Sequence, residues 1–158
     1  MIPNIRKASV EDIPGLLRLL SQVLELHAAL RPDIFVSGTT KYSREELVEI
    51  ISDDNRPIYV ATDEEDRVTG YAFCQLQEPP FTSTMIPRKI LYIDDLCVDE
   101  TVRGAHIGSS LFEYVKSQAK GLGCYEVTLN VWEGNDDALN FYTAMGMKPK
   151  ETQLEYIL

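Results

Sequence analysis

Two adjacent carboxylates, Asp94 and Asp95, lie inside an apolar, β-branched run that reads as a strand from Arg88 to Val98. Just beyond it comes Arg103-Gly104-Ala105-His106-Ile107-Gly108-Ser109, a short glycine-containing loop that opens a helical pattern. The first N–H groups of a helix have no internal partners, and the helix dipole places partial positive charge there. A strand, a glycine turn and a helix start therefore make an anion site, with Arg103 adding a fixed positive charge. The loop is neither a Walker A sequence nor a GxGxxG dinucleotide fingerprint. Taken alone, its glycines could equally serve only a tight turn. A second constellation follows the next strand: Asn135-Asp136-Asp137-Ala138-Leu139-Asn140-Phe141-Tyr142, then Gly146-Met147. Ala138, Phe141, Tyr142 and Met145 share one helical face, so Tyr142 is either a core aromatic or a phenol aimed at a site.

The elements that position these residues are legible in order. Asn4 to Lys7 reads as a strand. Ser9, Glu11, Asp12 and Pro14 start a helix whose leucine stripe runs to about Leu30, ahead of Arg31-Pro32. Ser43 and Glu46 form a capping box for a second helix, to about Ser52. Ile58 to Thr62 and Arg67 to Gln77 read as a hairpin, followed by the Arg88 to Val98 strand. A third helix carries Ile107, Leu111, Phe112, Val115 and Ala119. Tyr125 to Val131 alternates as a strand, a fourth helix starts at Asn135 or Asp136, and Met147 to Leu158 is extended. The order β α α β β β α β α β predicts an α/β fold, a mixed and mostly antiparallel sheet with helices on both faces. No linker divides the chain, so residues 1–158 read as one domain.

The chain has 158 residues and a formal net charge of −10. That balance excludes nucleic acid as the main partner, because phosphate backbones need a basic face. It suits a cationic ligand, and it equally suits plain solubility. Cys74, Cys97 and Cys124 have no CxxC spacing and sit in strand-like settings, which predicts small core residues rather than a disulfide framework. His27 and His106 have no companion at ligand spacing, so no metal is expected. No apolar run could span a membrane, and no signal peptide is legible. A cytoplasmic setting follows as the expectation.

The two constellations together resemble the GNAT superfamily of acyl-CoA N-acyltransferases. Its phosphate loop, Arg/Gln-x-x-Gly-x-Gly/Ala, opens the helix after the fourth strand, and a later signature runs Asn, Ala, Phe-Tyr, Gly-Phe. Arg103, Gly108, Asn135, Ala138, Phe141, Tyr142 and Gly146 match in that order and spacing. His106 departs from the pattern, standing where the family places its first loop glycine, and Met147 replaces a Phe. The resemblance implies a GNAT-like fold and acetyl-CoA as co-substrate. It places the pyrophosphate on Arg103, Gly104, Ala105, His106, Ile107, Gly108 and Ser109, and the pantetheine arm along Leu96, Cys97 and Val98. The fourth and fifth strands of the family splay apart there, so an N–H of Leu96 or Val98 would hold the thioester carbonyl. Asn135 would bind the cofactor arm from the other side, and Tyr142 would be the acid for the departing thiolate.

An amine acceptor then needs a base, and Asp94 or Asp95 is the candidate. Alternation puts them on opposite faces, so a regular strand presents Asp94, together with Tyr92 and Leu96, and a bulge presents Asp95 instead. His27, near the end of the first helix, is a further base candidate beside the Arg31–Phe35 stretch, where the family shapes its acceptor site. The expected reaction is transfer of an acetyl group from acetyl-CoA to a primary amine. The same features would also serve a module that binds acyl-CoA and does no chemistry. The C-terminal stretch, extended with no clear turn, would leave a strand edge on which two copies could form a homodimer.

Overall fold

The computed structural model describes residues 3–102 and 106–158. Its elements follow the predicted order up to the last one. They are β1 (Asn4–Lys7), α1 (Ile13–Leu30), α2 (Arg44–Ile51), β2 (Ile58–Thr62), β3 (Val68–Gln77), β4 (Ile90–Val98), α3 (Ile107–Gly121), β5 (Glu126–Leu129) and α4 (Asp136–Ala144). The sheet order is β1-β2-β3-β4-β5. All neighbours are antiparallel except β4 and β5, which the α3 crossover makes parallel. The expected final strand is the one departure. Residues 147–158 form no paired strand.

Each local structure has a cause in the sequence. The capping box of α2 is formed as read: the Ser43 N–H donates to the Glu46 carboxylate at 3.0 Å, and the Glu46 N–H donates to Ser43 Oγ at 3.2 Å. Helix α1 begins with Pro14 in its first turn, where a missing N–H costs nothing. It buries Ile13, Leu16, Leu19 and Leu20.

Strand alternation divides the core in two. Ile58, Val60, Tyr71 and Phe73 pack with α1 and α2, and with Leu47 and Ile50 among them. Tyr59, Ala72, Cys74, Leu91 and Ile93 pack with Phe112, Val115 and Ala119 of α3. Fully burying one such side chain contributes about 1.5–3 kcal/mol, so these two layers hold the sheet between its helices. Gly70 lets α3 come close: an added Cβ would stand 3.0 Å from Leu111 Cδ1 and 3.1 Å from Ile107 Cγ2. Among the described residues, no helix is long and apolar enough to cross a membrane.

The end of β4 is fixed by Asp99, whose side chain is 7% exposed. Its N–H donates to the Thr69 carbonyl at 2.8 Å, which closes the ladder with β3. Its carboxylate accepts from Arg18 of α1, from Gln22 Nε2, and from the N–H and hydroxyl of Thr101, each of the last two at 3.0 Å. Burial alone would raise this carboxyl. The Thr101 N–H, Arg18, the Thr101 hydroxyl and Gln22 outweigh it and bring the carboxyl down to about 2. Because the folded value is depressed, the stabilisation is full above the unfolded value of about 3.9 and is lost as pH falls towards 2. Asp99→Ala leaves Arg18, Gln22 and Thr101 without their acceptor. It should cost about 2–4 kcal/mol in urea unfolding at neutral pH, with the deficit shrinking below pH 4. A deficit that stayed constant down to pH 2 would contradict this anchor.

Candidate active site

The site is set by one extra residue in β4. Phe73 pairs with Asp95, yet Cys74 pairs with Ile93, so Asp94 has no partner on β3. This is a β-bulge, and it reverses the phase of the strand. Leu91 and Ile93 face α3, whereas Cys97, three pairs further along, lies in the α1/α2 core. The regular alternation expected for Asp94 and Asp95 therefore does not hold. Asp94 reaches Lys41, from the loop before α2, with Nζ to Oδ2 at 2.5 Å. Asp95 accepts from the Tyr71 hydroxyl at 2.6 Å. Both carboxylates serve the α1/α2 side.

Their surroundings differ. Burial pushes the Asp95 carboxyl up to about 6, against the Tyr71 hydrogen bond and the Lys41 charge, which hold it down. Asp94 is instead matched by an ammonium. Burial opposes the charge on Lys41, but the hydrogen bond from Lys41 to Asp94 and the attraction between them keep Lys41 above its usual range. His27 is pushed below its usual value by burial and then by Lys41, so it is neutral at pH 7. Its ring packs on Phe35 at 5.1 Å, and Phe35 meets Trp132 edge-on at 5.5 Å. The Arg31 guanidinium lies over Trp132 at 5.9 Å. These groups form a wall whose His27 end feels the charge of Lys41, the partner of Asp94.

On the other side β4 and β5 part. Their ladder ends at Ile93 opposite Leu129, while β4 continues to Val98. Asp99 donates its N–H to β3, so alternation sends the Cys97 N–H the same way and aims those of Leu96 and Val98 into the opening. Tyr142 reaches this region from α4, which Asn135 caps by accepting the Ala138 N–H at 3.3 Å. Its ring packs against Phe112 and Phe141. Among the described residues nothing hydrogen-bonds its hydroxyl. Burial, then the charge of Asp95 and that of Cys97, raise the Tyr142 phenol well above its usual value, so it holds its proton at neutral pH.

Arg103, Gly104 and Ala105 lie outside the described residues. After them, His106 adopts φ 58°, ψ 24°, the left-handed conformation a glycine takes freely, and caps α3. Its carbonyl accepts the Ser110 N–H and the Ser109 hydroxyl, both at 3.0 Å. Ile107 points its side chain into the core. Gly108 is different. Its φ is not positive, and an added Cβ would make ordinary contacts, 3.5 Å to Phe141 and 3.6 Å to Val98. Nothing in the packing demands glycine in this helical turn, where it costs about 1 kcal/mol relative to alanine. A bare backbone there suits a ligand that lies against the helix start. The fold thus gathers Leu96, Val98, Gly108 and Tyr142 around one opening. Asn135 is engaged as a helix cap, with its amide nitrogen left over. Lys41, Tyr71 and Trp132 are site residues that the sequence did not single out. Among the described residues, no group of three His, Cys, Asp or Glu side chains could hold a metal ion.

The fold is a mixed sheet opened beyond a bulge in its fourth strand, with a helix start at the opening. The sequence profile of the acetyltransferase (GNAT) family matches residues 22–147, and the chain belongs to that family. Among its relatives are the thialysine N-epsilon-acetyltransferase of Bos taurus, 28% identical over 90% of this chain and 82% of that protein, and the peptidyl-lysine N-acetyltransferase YjaB of Salmonella typhimurium, 33% identical over 66% of this chain and 61% of that one. A glucosamine 6-phosphate N-acetyltransferase of Trypanosoma brucei brucei is 32% identical over 56% of each chain. The match thus spans less than two thirds of the length of two of these three relatives. The crystal structure of a mutant BH1408 protein from Bacillus halodurans superposes with a TM-score of 0.92, at 35% identity and over 98% of this chain and 99% of that one.

The Tyr71 hydroxyl should be what keeps Asp95 from rising further. Tyr71→Phe keeps the ring in the core and should move the Asp95 midpoint above its value of about 6, read by carboxyl ¹³C NMR titration. A midpoint unchanged or lowered would contradict the assigned hydrogen bond.

Proposed function

We propose that this chain is an acetyl-CoA-dependent N-acetyltransferase that acetylates a primary amine by direct attack, with no covalent enzyme intermediate. Family membership and the names of the relatives support the reaction class. The observation that carries the proposal is the opening between β4 and β5. It lies between the half-buried Asp95 on one side and the protonated Tyr142 on the other.

Each residue then has a task. The N–H of Leu96 or Val98 accommodates the thioester oxygen and stabilises the charge that develops on it. The amides at the start of α3, from Ile107 to Ser109, take the pyrophosphate. Only about one lysine-like amine in a thousand is neutral near pH 7, so a base is needed. Asp95 suits that role better than Asp94. Its carboxyl titrates near 6, close to working pH, while Asp94 is committed to Lys41. Tyr142 donates its proton to the departing thiolate.

The acceptor is best matched by a lysine-like amine. Asp94 and Asp95 put negative charge where the amine arrives. Arg31, a cation on the acceptor wall, is already bound to Asp33 and Glu155, which disfavours a phosphorylated sugar. The non-catalytic reading, an acyl-CoA-binding module, is separated by experiment. Free thiol released from acetyl-CoA should appear with lysine and its short peptides, and more weakly with glucosamine 6-phosphate. Binding of acetyl-CoA without thiol release from any amine would overturn the enzyme reading. Tyr142→Phe should lower kcat by about 10²-fold or more with acetyl-CoA affinity retained. In the parent, kcat/KM should rise with pH through about 6, and Asp95→Asn should abolish that limb.

A further inference from the structure

One lysine of this chain already stands where the acceptor amine is to arrive. Lys41 Nζ meets Asp94 Oδ2 at 2.5 Å and lies over the Tyr42 ring at 5.4 Å. Its charge also acts on Asp95, Tyr92 and His27, so the ammonium sits among the titratable groups of the site. The other ion-paired lysines meet carboxylates elsewhere, Lys7 with Asp54, Lys116 with Glu113 and Lys150 with Glu126. Lys41 is also held in place from both sides. Upstream, Glu25 of α1 accepts the Ser37 hydroxyl and the Gly38 N–H, each at 2.7 Å. Downstream, Tyr42 stacks on Phe73 at 5.7 Å, and Phe73 is the β3 partner of Asp95. The loop thereby keeps the Lys41 backbone beside the bulge and leaves its side chain room to move. That side chain is 47% exposed. An ion pair this open contributes only about 0.2–1 kcal/mol, so the ammonium leaves Asp94 easily.

We infer that Lys41 is itself an acceptor, and that the chain acetylates its own Lys41 from acetyl-CoA when no other amine fills the site. The inference rests on the transfer chemistry proposed above. Leu96, whose N–H or that of Val98 would hold the thioester oxygen, stands two residues beyond Asp94, about 6.6 Å along an extended strand. The flexible four-carbon stem of lysine swings its amine through such a distance. Asp95 takes one proton from the ammonium, and the neutral Nζ attacks the thioester carbonyl carbon. The C–N bond forms, the nitrogen sheds a second proton, and the C–S bond breaks. Tyr142 protonates the departing thiolate, and the second proton restores Tyr142. The products are an acetyl amide on Lys41 Nζ, free CoA thiol and one proton. The amide carries no charge, so Asp94 loses its partner. The acceptor site then gains an unmatched carboxylate, which favours a cationic amine from solution.

Peptide mass spectrometry of the full chain, before and after incubation with acetyl-CoA alone, tests this. Acetyl should collect on Lys41 faster than on any other lysine, at a first-order rate independent of protein concentration. Tyr142→Phe keeps the ring and should slow the labelling by about 10²-fold, which separates catalysis by the chain from spontaneous reaction with the thioester. Lys41→Arg keeps a cation for Asp94 that does not give up its proton, and should abolish labelling of that peptide. A Lys41 that stays unmodified would overturn the inference, as would one labelled no faster than the surface lysines. So would labelling at an unchanged rate in Tyr142→Phe, or a rate that rises in proportion to protein concentration. Thiol release with added lysine peptides is read separately. Turnover there with Lys41 unmodified removes this inference alone, whereas acetyl-CoA binding with neither product removes the enzyme reading as well.

Discussion

The single extra residue at Asp94 governs this structure. A regular β4 would place Ile93, Asp95 and Cys97 on one face. The bulge lets Ile93 stay against α3 while Asp95 and Cys97 turn to the α1/α2 side. The same break bends β4 away from β5, whose ladder stops at Leu129. One irregularity thereby supplies a paired carboxylate, a half-buried carboxylate and two backbone N–H groups aimed into an opening. Without it the fold would keep its core and lose the site.

Holding that break in place takes rigid neighbours. Asp99 ties the end of β4 to β3 and to Arg18 and Gln22 of α1. Gly70 lets the first turn of α3 lie close to β3 and β4. The start of α3 is thus fixed relative to Leu96 and Val98, and α4 closes the third side through Phe141 against Gly108. Electrostatics then separate the two carboxylates. Asp94 shares its charge with Lys41, and Asp95 is left in a buried setting where the Tyr71 hydroxyl and the Leu96 N–H bond it. Two chemically identical side chains, adjacent in sequence, thus stand in different surroundings, one paired with an ammonium and the other buried beside Tyr71.

Much of the fold was legible because local physics decides it. The bounds of β2 and the capping box of α2 are read from residue type and spacing, and the structure keeps both. The helix α3 and the Tyr142 helix also fall where the spacing puts them. The bulge was not legible, because register belongs to two strands and the Asp-Asp pair looks the same in either phase. Lys41 and Tyr71 reach the site across large sequence separations, from a patternless loop and from the middle of a buried strand. Trp132 follows β5 by a few residues and joins the wall only through Phe35 and Arg31. The last segment alternates like a strand, but alternation does not by itself supply a partner edge, and the segment stays unpaired.

The central claim is that the bulge frees the amides of Leu96 and Val98 to meet an acyl thioester, with the start of α3 taking its phosphates. Backbone ¹H–¹⁵N shifts on titration with a non-hydrolysable acetyl-CoA analogue test it most directly. The account predicts that a Leu96 or Val98 amide and the Ile107–Ser109 amides move together along one binding curve. Saturable binding that leaves all of these amides unmoved, with shifts confined to another surface, would contradict it.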